Sequence, residues 1–455
     1  MTRILPLTIL TLFIFSTALA AAPQEKGDPD SFVSKHKESQ ELAIALENLR
    51  YHGFTGSVIA SVKGDVRVAM GVGFANRESK TANTANTLHE LASVTKQFTG
   101  AAICLLMDSK KLRLKDSIAK HLPGVPDQSK KITIQHLLNH SSGIPGSNSF
   151  GAGFELKPVV ASFLKGGPRT KPGDKYEYWN QGYALLAGII QTASGQTYPE
   201  FCREQLFEKA GMKTACFTGD QKPKNAQVAT GYTAEMPPRS ALDHPYREYG
   251  FQYQGMGGAV SNVWDLWRWN QALQKKSLLS SKATKELFKP TDAGYALGWK
   301  VSKKDGVLVQ SHGGRVQGFV SEIRRYPKKD VFIAVLCNDT DAHPGRVADL
   351  IAKVLEEGKV PEIPRGLDAK MQEKLAGKYQ SVDGHRLEIF AKGESTIAQL
   401  YWPQGFRSFG TVGTTEEDEV MFFPMFDPQL PKFEYGDEGK VVSIDFGYGK
   451  IRRVD

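Results

Sequence analysis

Ser93-Val94-Thr95-Lys96 sets a hydroxyl and an amine three residues apart at the head of an uncharged run, Gln97–Met107. Phe98, Ala101, Ala102, Leu105 and Leu106 follow the i, i+3, i+4, i+7, i+8 spacing of a buried helical face. Residues three apart share a face of a helix, so Lys96 can reach the Ser93 hydroxyl. A lysine leading so apolar a helix is desolvated; desolvation disfavours the ammonium form and makes the amine a usable base. Ser93 also stands where a helix N-terminus favours developing negative charge. The chemistry this describes is a nucleophile beside its activator. A serine before a helix is most often an N-cap, and a first-turn lysine usually points to water. A capping box, however, needs Glu or Gln three residues on, and Lys96 cannot accept a hydrogen bond there.

Such a pair needs a proton shuttle, an oxyanion hole and a substrate clamp from elsewhere in the chain. Tyr178-Trp179-Asn180, on a loop introduced by Pro172-Gly173, offers a phenol that can relay a proton and an amide that can orient a carbonyl. In isolation Tyr178 reads more readily as a half-buried loop aromatic and Asn180 as an N-cap. His312-Gly313-Gly314 lies between two strand-like segments. Its glycines would let a substrate lie close to the backbone, whose amides can complete an oxyanion hole; the same tripeptide also reads as a simple turn.

Several elements must hold these groups. Gly56–Lys63, a Gly64-Asp65 turn and Val66–Phe74 read as a β-hairpin. Helical patterns follow from Ser93, at Ile134–Leu138, Pro158–Leu164, Tyr183–Ile190 and Trp264–Leu273, and strand patterns at Trp299–Val301, Val307–Gln310, Gly318–Arg325 and Val331–Leu336. A last helix ends near Leu355. Strands at both ends with helices between predict one sheet closed by the two ends and covered by helices. Residues from about Gly219 to Gln254, rich in Pro, Lys and Tyr, read as a long surface excursion that shapes a cleft. After Glu356–Pro364 the pattern changes to short strands at Leu387–Ala391, Ile397–Trp402, Val420–Phe423, Lys432–Tyr435 and Val441–Phe446, which predict a small all-β sandwich or partial barrel.

A chain of 455 residues, 40% hydrophobic and 24% charged, fits a soluble protein of two or three domains. Arg3, the apolar run Ile4–Phe15 and Ala18-Leu19-Ala20 read as a cleaved secretory signal, too short to span a bilayer and without a lipobox cysteine. The expected division is a signal peptide over residues 1–22, a catalytic domain over 23–360 and a β-rich domain over 366–455. The mature protein is expected to be exported, periplasmic or secreted, with no stable membrane span. The net charge of +9 is modest, and no Lys/Arg stripe of the kind nucleic-acid binding requires is present. Of the four cysteines, Cys104 and Cys337 read as core residues, and Cys202 with Cys216 is the only plausible local pair. No metal-site spacing occurs.

Ser93-x-x-Lys96, Tyr178-x-Asn180 and His312-Gly313-Gly314 occur in the order and approximate spacing of the serine β-lactamase and penicillin-binding protein family. The chain resembles the class C-like branch, which also holds D-alanyl-D-alanine carboxypeptidases, D-aminopeptidases and esterases. Leu91–Lys96, Ile134–Pro145, Tyr183–Ile190, Gly257–Leu266 and Ala296–Trp299 are similar to the same family, and the resemblance covers roughly Phe54 to Ala352. The tail from about Gly366 is similar to β-rich domains appended to such hydrolases. The resemblance implies an α/β (α+β) fold: an antiparallel sheet flanked by helices, a helical subdomain, and a C-terminal all-β domain. It implies Ser93 as nucleophile, Lys96 as the group that keeps Ser93 and Tyr178 activated, Tyr178 as proton shuttle and base, and Asn180 as substrate-orienting amide. His312, Gly313 and Gly314 would line the substrate, and the backbone amides of Ser93 and Arg315 would form the oxyanion hole. No metal or organic cofactor is implied.

The substrate class implied is a small molecule or peptide, either an ester or a D-amino-acid amide, with cell-envelope peptidoglycan as a candidate partner. A class C-like β-lactamase and a non-catalytic penicillin-binding protein are the alternatives. Two positions depart from the lactamases. His312 stands where they usually keep a lysine to hold the substrate carboxylate, and histidine is only partly charged near neutrality. Trp179 replaces a small residue and is expected to narrow the cleft or stack on substrate.

Overall fold

The computed structural model describes residues 28–146, 153–246, 249–304, 306–403, 405, 407–423, 431–446 and 450–455. The secretory signal read at residues 1–22 lies outside the described residues. A seven-stranded sheet is built from β1 (Phe32–Val33), β2 (Gly56–Val62), β3 (Asp65–Val72), β4 (Lys300–Lys304), β5 (Val307–Val316), β6 (Phe319–Tyr326) and β7 (Val331–Cys337). Its order is β1-β3-β2-β7-β6-β5-β4, antiparallel throughout, so the N-terminal hairpin and the C-terminal strands meet at its centre. Central β7, Val-Phe-Ile-Ala-Val-Leu-Cys, is apolar at every position because both its faces are covered. Ile333, Val335 and Cys337 join one core, with the helices α1 (Lys37–Asn48) and α5 (Pro344–Glu357). Phe332, Ala334 and Leu336 point the other way.

That second face carries the larger core, with α2 (Lys96–Asp108), α3 (Asn180–Ser194) and α4 (Val263–Gln274). Helix α2 is buried on all sides from Lys96 to Cys104, where the spacing predicted a single apolar face. Helix α1, which no sequence pattern had marked, buries Leu42, Ala45 and Leu46. The long excursion is not confined to the surface. Thr230–Thr233 and Met236–Ser240 form a hairpin, and the chain then turns inward to bury Ala241, Phe251 and Tyr253. All four cysteines are free and buried, so Cys202 and Cys216 do not pair.

The C-terminal unit is a single nine-stranded antiparallel sheet, not two stacked ones. Four of its strands were not predicted: Arg365–Gly366, Gly377–Gln380, Arg407–Thr414 and Lys450–Arg453. It encloses its own core around Leu375, Tyr379, Ile389, Val412 and Phe422. It is tied to the first domain through its leading segment, where Asn48 Nδ2 donates to the Ile363 carbonyl (2.9 Å) and His52 Nε2 to that of Pro364 (2.6 Å). No helix among the described residues is long and apolar enough to cross a membrane.

Candidate active site

A strained turn delivers Ser93. Leu91 donates its N–H to the Ala259 carbonyl (2.8 Å), Ala92 takes a positive φ of 48°, and one 3-10 turn, Ala92–Thr95, leads into α2. A left-handed alanine costs about 1–3 kcal/mol and persists only where its surroundings over-determine it. Here the result is that Ser93 alone, among Leu91 to Gly100, is not buried. Lys96 begins α2 and is fully buried.

Two groups converge on Ser93. Lys96 Nζ lies 3.0 Å from Ser93 Oγ and donates to the Met256 carbonyl (2.9 Å). Tyr178 donates its hydroxyl to Ser93 Oγ at 3.2 Å. The Lys96 amine also rests over the rings of Tyr178 and Tyr183, at 5.0 and 5.5 Å. Burial drives the Lys96 pKa well down from the ordinary lysine value, so the amine is available in its neutral form. Its lone pair can accept the Ser93 proton while one N–H holds Met256. Burial pushes the Tyr178 phenol up, so the resting hydroxyl keeps its proton and donates it.

The tyrosine arrives on an extended segment that ends where α3 starts. Asn180 is the first residue of α3, with Trp179 as the preceding cap, and its side chain lines a small hollow beside Ser93. Trp179 does not narrow the cleft. It is 2% exposed and turned into the core, against Gly182. The helix is apolar around its first turns, and the indole is drawn inward with it.

His312-Gly313-Gly314 is not a turn but part of β5. Pairing with β4 reaches only to Ser311, so from His312 to Val316 the strand pairs with β6 alone and leaves its other edge free. This is the edge that passes the nucleophile. A Cβ on Gly314 would stand 2.3 Å from the Leu91 carbonyl oxygen, so only glycine lets the strand lie so close to the Ser93 turn. Arg315 follows on the free edge and lines the small hollow together with Ser93.

His312 is 2% exposed and uncharged. Its Nδ1 donates to the Gly313 carbonyl (2.6 Å), leaving Nε2 to accept from the Tyr295 hydroxyl (2.9 Å). Burial, and then the nearby Lys96, push its pKa down to about 3. The partial charge expected of a histidine near neutrality is therefore not available here.

Ser93 sits between two cavities. The larger, about 810 Å³, is also lined by Tyr176, Tyr178, His312, Lys300, Arg315 and Arg346. These last three make no ion pair among the described residues, whereas Arg324 in the same wall is held by Glu322 and Asp349. The smaller hollow, about 150 Å³, is walled by Tyr246, Tyr253, Met256 and Val316. Two of these wall residues, Tyr246 and Tyr253, come from the inward-turning part of the excursion, and Met256 follows it directly. Together with His140, Tyr295 and the Met256 carbonyl, they are the neighbours of the site that no sequence pattern singled out. Among the described residues no cluster of His, Cys, Asp or Glu is arranged to hold a metal ion.

Comparison with known proteins identifies the family and the fold. The family model described as Beta-lactamase matches residues 37–356. Penicillin-binding protein 4* of Bacillus subtilis (strain 168) is 29% identical over 401 residues, covering 80% of this chain and 88% of that protein. The octameric penicillin-binding protein homologue from Pyrococcus abyssi has the same fold, with a TM-score of 0.62 at 24% identity over 91% of this chain and 99% of its own. D-amino acid amidase from Ochrobactrum anthropi SV3 matches with a TM-score of 0.60 at 20% identity over 70% of this chain and 99% of its own. The chain belongs to the beta-lactamase family of serine hydrolases.

Proposed function

We propose that this protein hydrolyses amides or esters through an acyl-enzyme on Ser93. The observation that carries the reading is the convergence of the Lys96 amine and the Tyr178 hydroxyl on one oxygen, at 3.0 and 3.2 Å. Neutral Lys96 takes the Ser93 proton as Oγ attacks the substrate carbonyl carbon. The carbonyl electron pair moves to oxygen, which the backbone amides of Ser93 and Arg315 receive in the small hollow. Each such donor contributes about 2.7–4 kcal/mol of transition-state stabilisation. As the intermediate collapses, Tyr178 gives its proton to the leaving nitrogen or oxygen and recovers one from Lys96. Water then enters, loses a proton to the same relay, and attacks the ester carbon; Ser93 leaves with a proton returned to it. Asn180, at the mouth of the hollow, orients the acyl portion.

The substrate class that fits best is a peptide or ester carrying a carboxylate on its leaving side. Lys300, Arg315 and Arg346 supply positive charge along that side of the cleft, where His312 cannot. D-amino-acid peptides of peptidoglycan type have this chemistry, and a structural neighbour is named a D-amino acid amidase. Such a substrate suits an exported protein with the N-terminal signal read in the sequence. Efficient penicillin hydrolysis fits less well, because His312 offers no fixed cation beside Ser93. A panel of D-Ala-D-Ala peptides, D-amino-acid amides, p-nitrophenyl esters and nitrocefin tests the reading. The expected outcome is turnover of a peptide, amide or ester at a kcat/KM well above that of nitrocefin. A preference for nitrocefin would show a β-lactamase instead.

A further inference from the structure

We propose that His140 is a positioning residue for Tyr178, holding that tyrosine from both sides of its own backbone. The inference rests on the assignment of Tyr178 to proton transfer at Ser93. His140 lies just beyond the short helix Ile134–Leu138 and takes a left-handed φ of 55°, uncommon for a residue with a side chain. It is 2% exposed. From this kink its carbonyl accepts the N–H of Glu177 at 2.8 Å, and its ring Nδ1 accepts the N–H of Trp179 at 3.1 Å. The residue between those two donors is Tyr178. The imidazole also lies along the Tyr178 ring, with centroids 4.2 Å apart and planes 36° from parallel. One residue thus holds the N–H of the residue before Tyr178, the N–H of the residue after it and the plane of its ring.

This arrangement defines the state of the imidazole. Accepting at Nδ1 places the proton of the neutral ring on Nε2. Burial pushes the His140 pKa well down, which keeps the ring neutral. On the far side Tyr295 meets the ring edge-on at 4.7 Å, and Tyr295 is the partner of His312. His140 therefore lies between the tyrosine and the β5 side of the site, and touches neither Ser93 nor the open cleft. Its effect on the reaction runs through the placement of the Tyr178 hydroxyl. A displacement of about 1 Å in a reacting group can cost on the order of 10²-fold in rate.

The test uses three variants of the full chain, with p-nitrophenyl acetate hydrolysis as readout and thermal melting as the check on folding. His140→Asn keeps an acceptor near the Nδ1 position and tolerates the left-handed backbone; it should stay within about tenfold of the wild-type kcat. His140→Phe keeps the stacked ring but leaves the Trp179 N–H without its acceptor, and His140→Ala loses both. These two should lose kcat by on the order of 10²-fold with little change in KM. In a Tyr178→Phe background the same substitutions should have almost no further effect, because residues acting through one group are not additive. Folded His140→Ala and His140→Phe variants with wild-type kcat would overturn the inference alone. So would a loss of equal size in the Tyr178→Phe background. If Tyr178→Phe itself hydrolysed at the wild-type rate, the assignment beneath the inference would fall, and the inference with it.

Discussion

Lys96 is buried with no carboxylate to offset its desolvation, and its ionisation therefore acts on stability as well as on rate. Its folded pKa lies below the unfolded one, so between those two values the unfolded chain binds a proton that the folded chain does not. Stability is then lost as pH falls from the unfolded pKa toward the folded one. At neutral pH this is a cost borne for reactivity. Lys96→Met should raise unfolding stability by about 0.5–2 kcal/mol, the size typical of relieving a strained functional site, and abolish hydrolysis. Denaturant unfolding and ester turnover measured on the same preparation check both halves. The Ser-x-x-Lys spacing made this pair legible from sequence, and desolvation of the lysine followed from the apolar run behind it. The charge state of His312 was not legible. It depends on Tyr295 and on burial beneath a sheet edge, and both are set by contacts between distant segments.

Between elements, the site is a seam where β5 passes the turn before α2, and Gly314 sets the distance across it. Gly314→Ala places a methyl 2.3 Å from the Leu91 carbonyl oxygen and must push strand and turn apart. The expected result is a fall in kcat on the order of 10²-fold with the fold retained, checked by steady-state kinetics beside a thermal melt. That strands from both ends of the chain close one sheet was readable from the hairpin with its Gly-Asp turn and the apolar run of β7; the order of the strands was not, because it is set by pairings between distant segments. The placement of Trp179 was not, because its orientation follows the packing of α3 and not any local pattern. The excursion over 219–254 was misread for a related reason. Its polar composition belongs to the hairpin at Thr230–Ser240, while behind it Phe251 is buried and Tyr246 and Tyr253 wall the small hollow. In the C-terminal unit, Arg407–Thr414 escaped notice because glycine and polar residues break its alternation; its strand state comes from neighbours on both sides.

For the molecule as a whole, several buried and half-buried histidines link stability to acid. Burial holds His52 and His89 down to about 4 and His312 down to about 3, all below the usual 6.5. Below pH 6.5 the unfolded chain takes up protons at these positions and the folded chain does not, so each subtracts stability as pH falls toward its folded value. Each contributes a slope of up to about 1.4 kcal/mol per pH unit across that window. Replacing His89, which lines neither cavity beside Ser93, with Gln should flatten stability against pH between 6.5 and 4 by up to that amount, as read from denaturant unfolding at a series of pH values. On the proposed reading, sheet, helices and excursion together activate one hydroxyl. Incubating the intact protein with a fluorophosphonate and weighing it by mass spectrometry measures that reactivity. The expected result is a single adduct that maps to Ser93 and is absent from a folded Ser93→Ala variant; a well-folded wild type that stays unmodified, or that carries its adduct on another residue, would contradict the role of Ser93.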